Sequence, residues 1–163
     1  AALMVTHDSE EAMFMSDKIV VLRDGQVQQT GRPVNLYCQP NSAFVAEFFG
    51  EVNQLEGIVA NGTIQTVLGV FEAPEDCVEG QKVQIVIRYE ALFIEPASTG
   101  ANAEVMESRL LGRASLIHLS VPTGTNALHL HARVPGLNSL QSGSKVRITV
   151  DPSQAFVFPS PAM

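Results

Sequence analysis

The segment GQKVQIVIRYEALFIEP at residues 80–96 returns without gaps as GSKVRITVDPSQAFVFP at residues 143–159, an offset of 63 positions. Gly80 falls on Gly143, and Lys82, Val83, Ile85, Ile87, Phe93 and Pro96 fall on Lys145, Val146, Ile148, Val150, Phe156 and Pro159. In both copies Val, Ile and Ile or Val recur at every second position, the period of a strand with one buried face. Two copies are too few for a stacked solenoid. The simplest arrangement is a duplicated unit whose two copies complete one shared core.

Around the repeat, residues 51–163 alternate short β-rich runs with Gly, Pro, Asn and Ser. The runs include QLEGIVA-NG-TIQTVL, QKVQIVIR, ASLIHLSV, NALHLHARV and SKVRITV. Short strands at regular spacing predict a small barrel or sandwich. Residues 1–50 have a different texture, so a domain boundary is expected near Gly50–Asn53. ALMV at 2–5 reads as the end of a buried strand. DSEEAMFMSD reads as a short helix, with Asp8 as N-cap and Glu11 placed for a capping box. KIVVLRDGQVQQTG predicts a hairpin, because Asp24-Gly25 suits the positive φ angles of a type I′ turn. PVNLYCQ predicts a helix with Pro33 in its first turn. NSAFVAEFFG predicts another, capped by Asn41 or Ser42 and stopped by Gly50. The apolar cluster at 44–49 reads as a core-facing helix side, with a partner-docking patch as the other possibility.

Composition narrows the functional classes. Hydrophobic residues make up 45% of the 163 and charged residues 17%, which is a globular balance. Ten basic residues against 17 acidic ones give a net charge of −7, with no Lys/Arg cluster. This balance argues against broad contact with nucleic acid or an anionic bilayer surface, since both reward basic patches. Cys38 and Cys77 lie far apart without zinc spacing and read as free thiols in a reducing compartment. No apolar run reaches the roughly 18 residues of a membrane span. The first residues lack a basic n-region, and a start at Ala1 within an apolar run reads as a portion of a longer protein.

His7 is the first candidate for chemistry. Ligands of open α/β sheets sit beyond the carboxyl ends of strands, and a histidine there can donate to a phosphate. A solvated turn residue is the alternative on position alone. The surrounding string, VTHDSEEAMFMSDKIVVLRDGQVQQTGRPVNLYCQPNSAFVAEFFG from Val5 to Gly50, resembles the carboxyl end of the ATP-binding cassette of import-type ABC transporters. The resemblance rests on the THD..EA switch segment, the DKIVVL..G.V.Q.G.P..LY..P hairpin and helix, and the FVA.F.G exit. It implies that His7 is the switch histidine, which in that family contacts the nucleotide γ-phosphate. A G-x-x-x-x-G-K-[ST] loop occurs nowhere in the 163 residues. This stretch alone is therefore expected neither to bind ATP tightly nor to hydrolyse it.

From about residue 51 the strings IVIRYEALFIEP, ESRLLGRASLIHLSV and GSKVRITVDPSQAFVF resemble the transport-associated OB-type (TOBE) domain of such importers. The fold class implied is mainly β, an OB-like barrel with an internal duplication (51–163), preceded by an α/β remnant of the nucleotide-binding domain (1–50). Family members usually show Arg-Pro-Glu where this chain has Arg88-Tyr89-Glu90, which puts the local turn in question but not the resemblance. The resemblance implies a regulatory or dimer-stabilising part of an importer ATPase. Its partners would be a second copy of itself and membrane permease subunits, with a small-molecule effector as a further possibility and no nucleic acid. ATP and Mg would serve the full-length parent, with no cofactor expected for this portion. The implied location is cytoplasmic, on the inner face of the bacterial inner membrane through the permease. A free-standing oxyanion-binding barrel and a pure dimerisation module are the alternatives. Transported cargo is not readable beyond a faint lean of FFGEVNQLEG toward the ferric-iron and polyamine branch.

Three weaker features complete the reading. His129 and His131 stand two apart on a predicted strand and share a face, with His118 on another strand. A metal there would need third and fourth ligands that the sequence does not name, so solvated or hydrogen-bonded strand histidines are expected. Glu10 and Glu11 are explained by the helix dipole at a first turn, and with Asp17 they need not be acid/base groups.

Overall fold

The computed structural model describes residues 2–124 and 126–160. The chain divides into two compact units between Glu51 and Val52.

In the first unit the elements run α1 (Ser9–Met15), β1 (Ile19–Arg23), β2 (Gln26–Gly31), α2 (Pro33–Cys38) and α3 (Ala43–Phe48). β1 and β2 pair antiparallel around Asp24 (φ 52°) and Gly25 (φ 74°). Both angles are positive, as a type I′ turn demands. Pro33 opens α2, where its missing N–H leaves no helical bond unmade. Ser42 rather than Asn41 caps α3, its Oγ accepting from the Val45 N–H at 3.4 Å. Asn41 instead donates Nδ2 to the Gln28 carbonyl at 2.8 Å, tying the entry of α3 to β2. Ala12, Ile19, Val21, Leu36, Val45 and Phe49 form the core of this unit, with Phe44 and Phe48 packed against it. The apolar side of α3 thus faces its own core.

Residues 2–5 are not a strand. Their backbone is irregular, and Leu3 and Val5 are 94% and 92% exposed. A single extended segment needs a neighbour to take its N–H and C=O groups. Among the described residues of this unit the only sheet is the β1–β2 pair, and it does not extend to them.

The second unit is mainly β. Its first half contains β3 (Val52–Ala60), β4 (Thr63–Thr66), β5 (Gly69–Glu72), β6 (Lys82–Arg88), a 3-10 turn (Tyr89–Ala91) and β7 (Leu92–Pro96). Its second half contains β8 (Ala103–Leu110), β9 (Ala114–Thr123), β10 (Asn126–Pro135), β11 (Lys145–Val150), a 3-10 turn (Pro152–Gln154) and β12 (Ala155–Pro159). One sheet has the order β12-β6-β3-β4-β5 and the other β7-β11-β8-β9-β10. The two orders become identical when each half is superposed on the other in chain order. The duplication therefore covers five strands per half, wider than the repeat visible in the sequence.

The last strand of each half is exchanged. β12 pairs with β6, setting Phe156 opposite Val86 and Ala155 opposite Ile87. β7 pairs with β11, setting Ile94 opposite Ile148 and Leu92 opposite Val150. Both halves then bury one core, in which Val83, Ile85, Ile87, Val105, Ile117, Leu119 and Val146 have no exposed surface. Burial of each such side chain contributes about 1.5–3 kcal/mol relative to exposure.

β5 and β8 escape the sequence pattern for separate reasons. β5 has four residues, too few for alternation to register. β8 shifts register between Val105 and Glu107, so a bulge breaks its alternation of inward and outward residues.

Candidate functional site

His7 stands at the entry to α1. Asp8 caps the helix, its Oδ1 accepting from the N–H groups of Glu10 at 2.9 Å and Glu11 at 3.0 Å. The second half of the expected capping box is displaced onto Thr6. Its hydroxyl donates to Glu11 Oε2 at 2.6 Å and accepts the Asp8 N–H at 3.1 Å. Thr6, Asp8 and Glu11 thus form a relay that fixes the backbone on both sides of His7. The imidazole itself is exposed, and no hydrogen bond or ion pair among the described residues engages it. A fixed backbone frame carrying an exposed imidazole can present a donor to an anion.

In the second unit the polar side chains collect on the outer face of β8, β9 and β10. Glu107, His118 and His131 lie in one cross-strand row, since His118 is the register partner of both others. The His118 and His131 rings meet edge to face with centroids 4.2 Å apart, and Tyr89 stacks on His131 at 5.2 Å. Arg109 Nε donates to Glu107 Oε1 at 2.8 Å, and Arg133 pairs with Glu90 at 3.7 Å. His129 shares the face with His131 but sits one row away, opposite Ser120, and is exposed. Among the described residues no three His, Cys, Asp or Glu side chains converge to hold a metal ion. The row fastens the first 3-10 turn to β10, and buried Asn53 on β3 reinforces the seam. Its Nδ2 donates to the His131 carbonyl and its Oδ1 accepts the His131 N–H, both at 2.8 Å.

Residues 85–158, which take in most of the repeat and the row of Tyr89, Glu107, His118 and His131, match the family of the TOBE domain. This part of the chain is a TOBE domain. The chain as a whole is a relative of the ATP-binding proteins of ABC importers. It is 36% identical over 155 residues to a spermidine/putrescine import ATP-binding protein of Acetivibrio thermocellus, covering 91% of this chain and 41% of the relative. It is 34% identical over 163 residues to a sulfate/thiosulfate import ATP-binding protein of Chromobacterium violaceum, covering 95% and 45%. An Fe(3+) ions import ATP-binding protein of Streptomyces coelicolor is 35% identical over 126 residues, covering 77% and 36%. The chain spans less than half the length of these curated relatives.

Within the TOBE domain the Tyr89 departure is harmless to the turn. Tyr89 opens the first 3-10 turn as Pro152, its counterpart in the repeat, opens the second. The turn forms without proline, and the side chain gained at that position is the one that stacks on His131. Asn53, Glu107 and Arg133 carry no motif, and the Arg-Pro-Glu comparison at residues 88–90 gives no partner for Tyr89 or Glu90. Their contacts with one another depend on a register that sequence spacing does not disclose.

Asn53→Ala is expected to destabilise the second unit by about 2–3 kcal/mol, because it strands a buried N–H and a carbonyl of His131. Urea unfolding measures the change, and a loss below about 0.5 kcal/mol, ordinary for a surface site, would show that the clamp is idle. Acid behaviour is also set by local bonds. The Ser153 hydroxyl and N–H hold the Asp151 carboxyl below its ordinary range, and Arg109 does the same for Glu107. For a group whose folded value is depressed, the added stability is present above the unfolded value. It is lost as pH falls through the folded one. Asp151→Asn should therefore flatten the decline of Tm on acidification below the carboxylate range, and an unchanged acid limb would contradict the assignment.

Proposed function

We propose that this chain supplies the regulatory, dimer-stabilising portion of the ATP-binding subunit of an ABC importer. The observation that carries the reading is the presence in one chain of the THD..EA segment, framed at the entry of α1, and a TOBE domain at 85–158. In this reading two subunits close over two nucleotides and drive permease subunits, with ATP and Mg²⁺ held by residues of the parent subunit. His7 contacts the γ-phosphate. The TOBE domain holds the dimer or tunes its closure, at the cytoplasmic face of the inner membrane. Among the described residues no helix is long and apolar enough to cross a membrane, which is compatible with attachment through a permease. The relatives' names span polyamine, sulfate or thiosulfate and ferric ion, so cargo choice is assigned to the permease and its external binding protein.

Light scattering on the purified chain tests the dimer role: a concentration-dependent dimer is expected, and a monomer at all accessible concentrations would sink it. A thermal-shift series with molybdate, sulfate and phosphate tests the oxyanion alternative. Two crevices of the second unit are lined without Lys, Arg or His, and each carries a glutamate, which disfavours an anion in either.

A further inference from the structure

The duplicated halves meet along two equivalent seams, and only one of them is sealed. At the sealed seam the long strand β10 lies against the first 3-10 turn, with Tyr89 stacked on His131, Glu90 paired with Arg133 and the Asn53 clamp on the His131 backbone. At the other seam the counterpart of β10 is β5, which has four residues against ten. A crevice of about 680 Å³ remains there. Leu68, Pro152, Ala155 and Val157 line it, together with two runs of three consecutive strand residues. These are Val70, Phe71 and Glu72 of β5, and Ile148, Thr149 and Val150 of β11.

Successive side chains of a strand point to opposite faces, so three in a row border a cavity only along the strand's edge. Among the described residues no strand lies beside β5 on its outer side, or beside β11 on its β8 side beyond Val146. β5 is outermost in its sheet. Ala73 N–H donates inward to the Gly62 carbonyl at 3.0 Å, so by alternation Val70 and Glu72 turn their backbone groups outward. On the β8 side of β11 the ladder stops at Val146, and the Asn102 amide takes both backbone groups of Ile148 at 2.7 and 3.0 Å. Val150, two residues on, presents its backbone to that same side beyond Asn102. Glu72 is exposed at the rim, and no cation among the described residues pairs with it, in contrast to Glu90 at the sealed seam.

We propose that the open seam is a strand-addition site for an extended peptide segment of a partner protein. The segment carries apolar residues at alternate positions and a Lys or Arg beside Glu72. Its N–H and C=O groups complete the edge of β5 and reach toward Val150. Its apolar side chains cover Phe71 and Val157, which pack toward the core, and the Lys or Arg lies on the opposite face with Val70 and Glu72. Four residues of β5 provide a track about 13 Å long at the usual strand rise, and main-chain bonds give affinity while alternate pockets give selectivity. The site does not depend on the ATPase reading.

The test is an amide NMR titration of the isotopically labelled chain with the peptide acetyl-TVKVTV-amide. Saturable shifts centred on Val70, Glu72 and Val150 are expected, with slowed hydrogen exchange of the Val70 and Glu72 amides. The same peptide N-methylated at alternate backbone nitrogens should not bind, because it cannot form the ladder. Charge reversal by Glu72→Lys, at an exposed position that leaves the fold intact, should weaken binding roughly tenfold. Equal binding of the N-methylated peptide, equal binding of acetyl-TVEVTV-amide, no binding at all, or shifts confined to other strands would each overturn the proposal. Saturation of the crevice by n-hexylammonium with no response to the peptide would also overturn it, in favour of a small-molecule site.

Discussion

His7→Ala in the proposed parent subunit is expected to lower ATP turnover by roughly 10²–10³-fold, the loss typical of removing one donor aimed at developing charge. The same substitution should leave stability within about 0.5 kcal/mol of the parent. The separation follows from the geometry: the backbone around His7 is fixed by Thr6, Asp8 and Glu11, and the exposed imidazole contributes nothing to that frame. Steady-state hydrolysis and thermal unfolding, measured on one preparation, read the two effects independently. Turnover unchanged by the substitution would remove His7 from the mechanism. Turnover and stability falling together would make it a structural residue.

Gly57→Val is expected to cost the second unit about 3 kcal/mol, at the upper end for overpacking a core. A Cβ at residue 57 would stand 2.3 Å from Cγ2 of Ile64 and 3.3 Å from Cδ1 of Ile85. Both isoleucines are fully buried. Cγ2 is attached directly to a branched Cβ and cannot swing aside without changing the χ1 rotamer. β3 and β4 must therefore separate at their short ladder, which pairs only Val59 with Ile64 and Ala60 with Thr63. Chemical denaturation measures the loss. The double variant Gly57→Ala with Ile64→Ala should be less destabilised than the two single changes summed, since the second opens space for the first. Strict additivity would show that the close approach is relieved elsewhere.

Much of this was legible in the residues, and what was not has physical causes. Local chemistry decides the Asp24-Gly25 turn, the Asp8 cap and the Pro33 start, and each needs only neighbours in sequence to form. The long apolar alternations of β6 and β9 also declare themselves, because one face of each is buried throughout. ALMV misleads, because an apolar run becomes a strand only where an edge is available to pair with. The Tyr89–His131–His118 row could not be anticipated. It depends on which residue of β10 meets which of β9, and a shift of one position would turn His131 inward and Leu130 out. His129 and His131 looked equivalent at a spacing of two, yet only His131 lies within reach of the first 3-10 turn.

The exchange of β7 and β12 has a consequence in time. β6 is an interior strand, yet one of its neighbours, β12, is made about 70 residues later in the chain. At ribosomal rates of about 5–20 residues per second, that edge stays uncovered for roughly several seconds of synthesis. The uncovered sequence, VQIVIR, is six β-prone residues without a proline, the composition that pairs with other chains when left exposed. Correct assembly of this domain is therefore a race between its last strand and a stranger's.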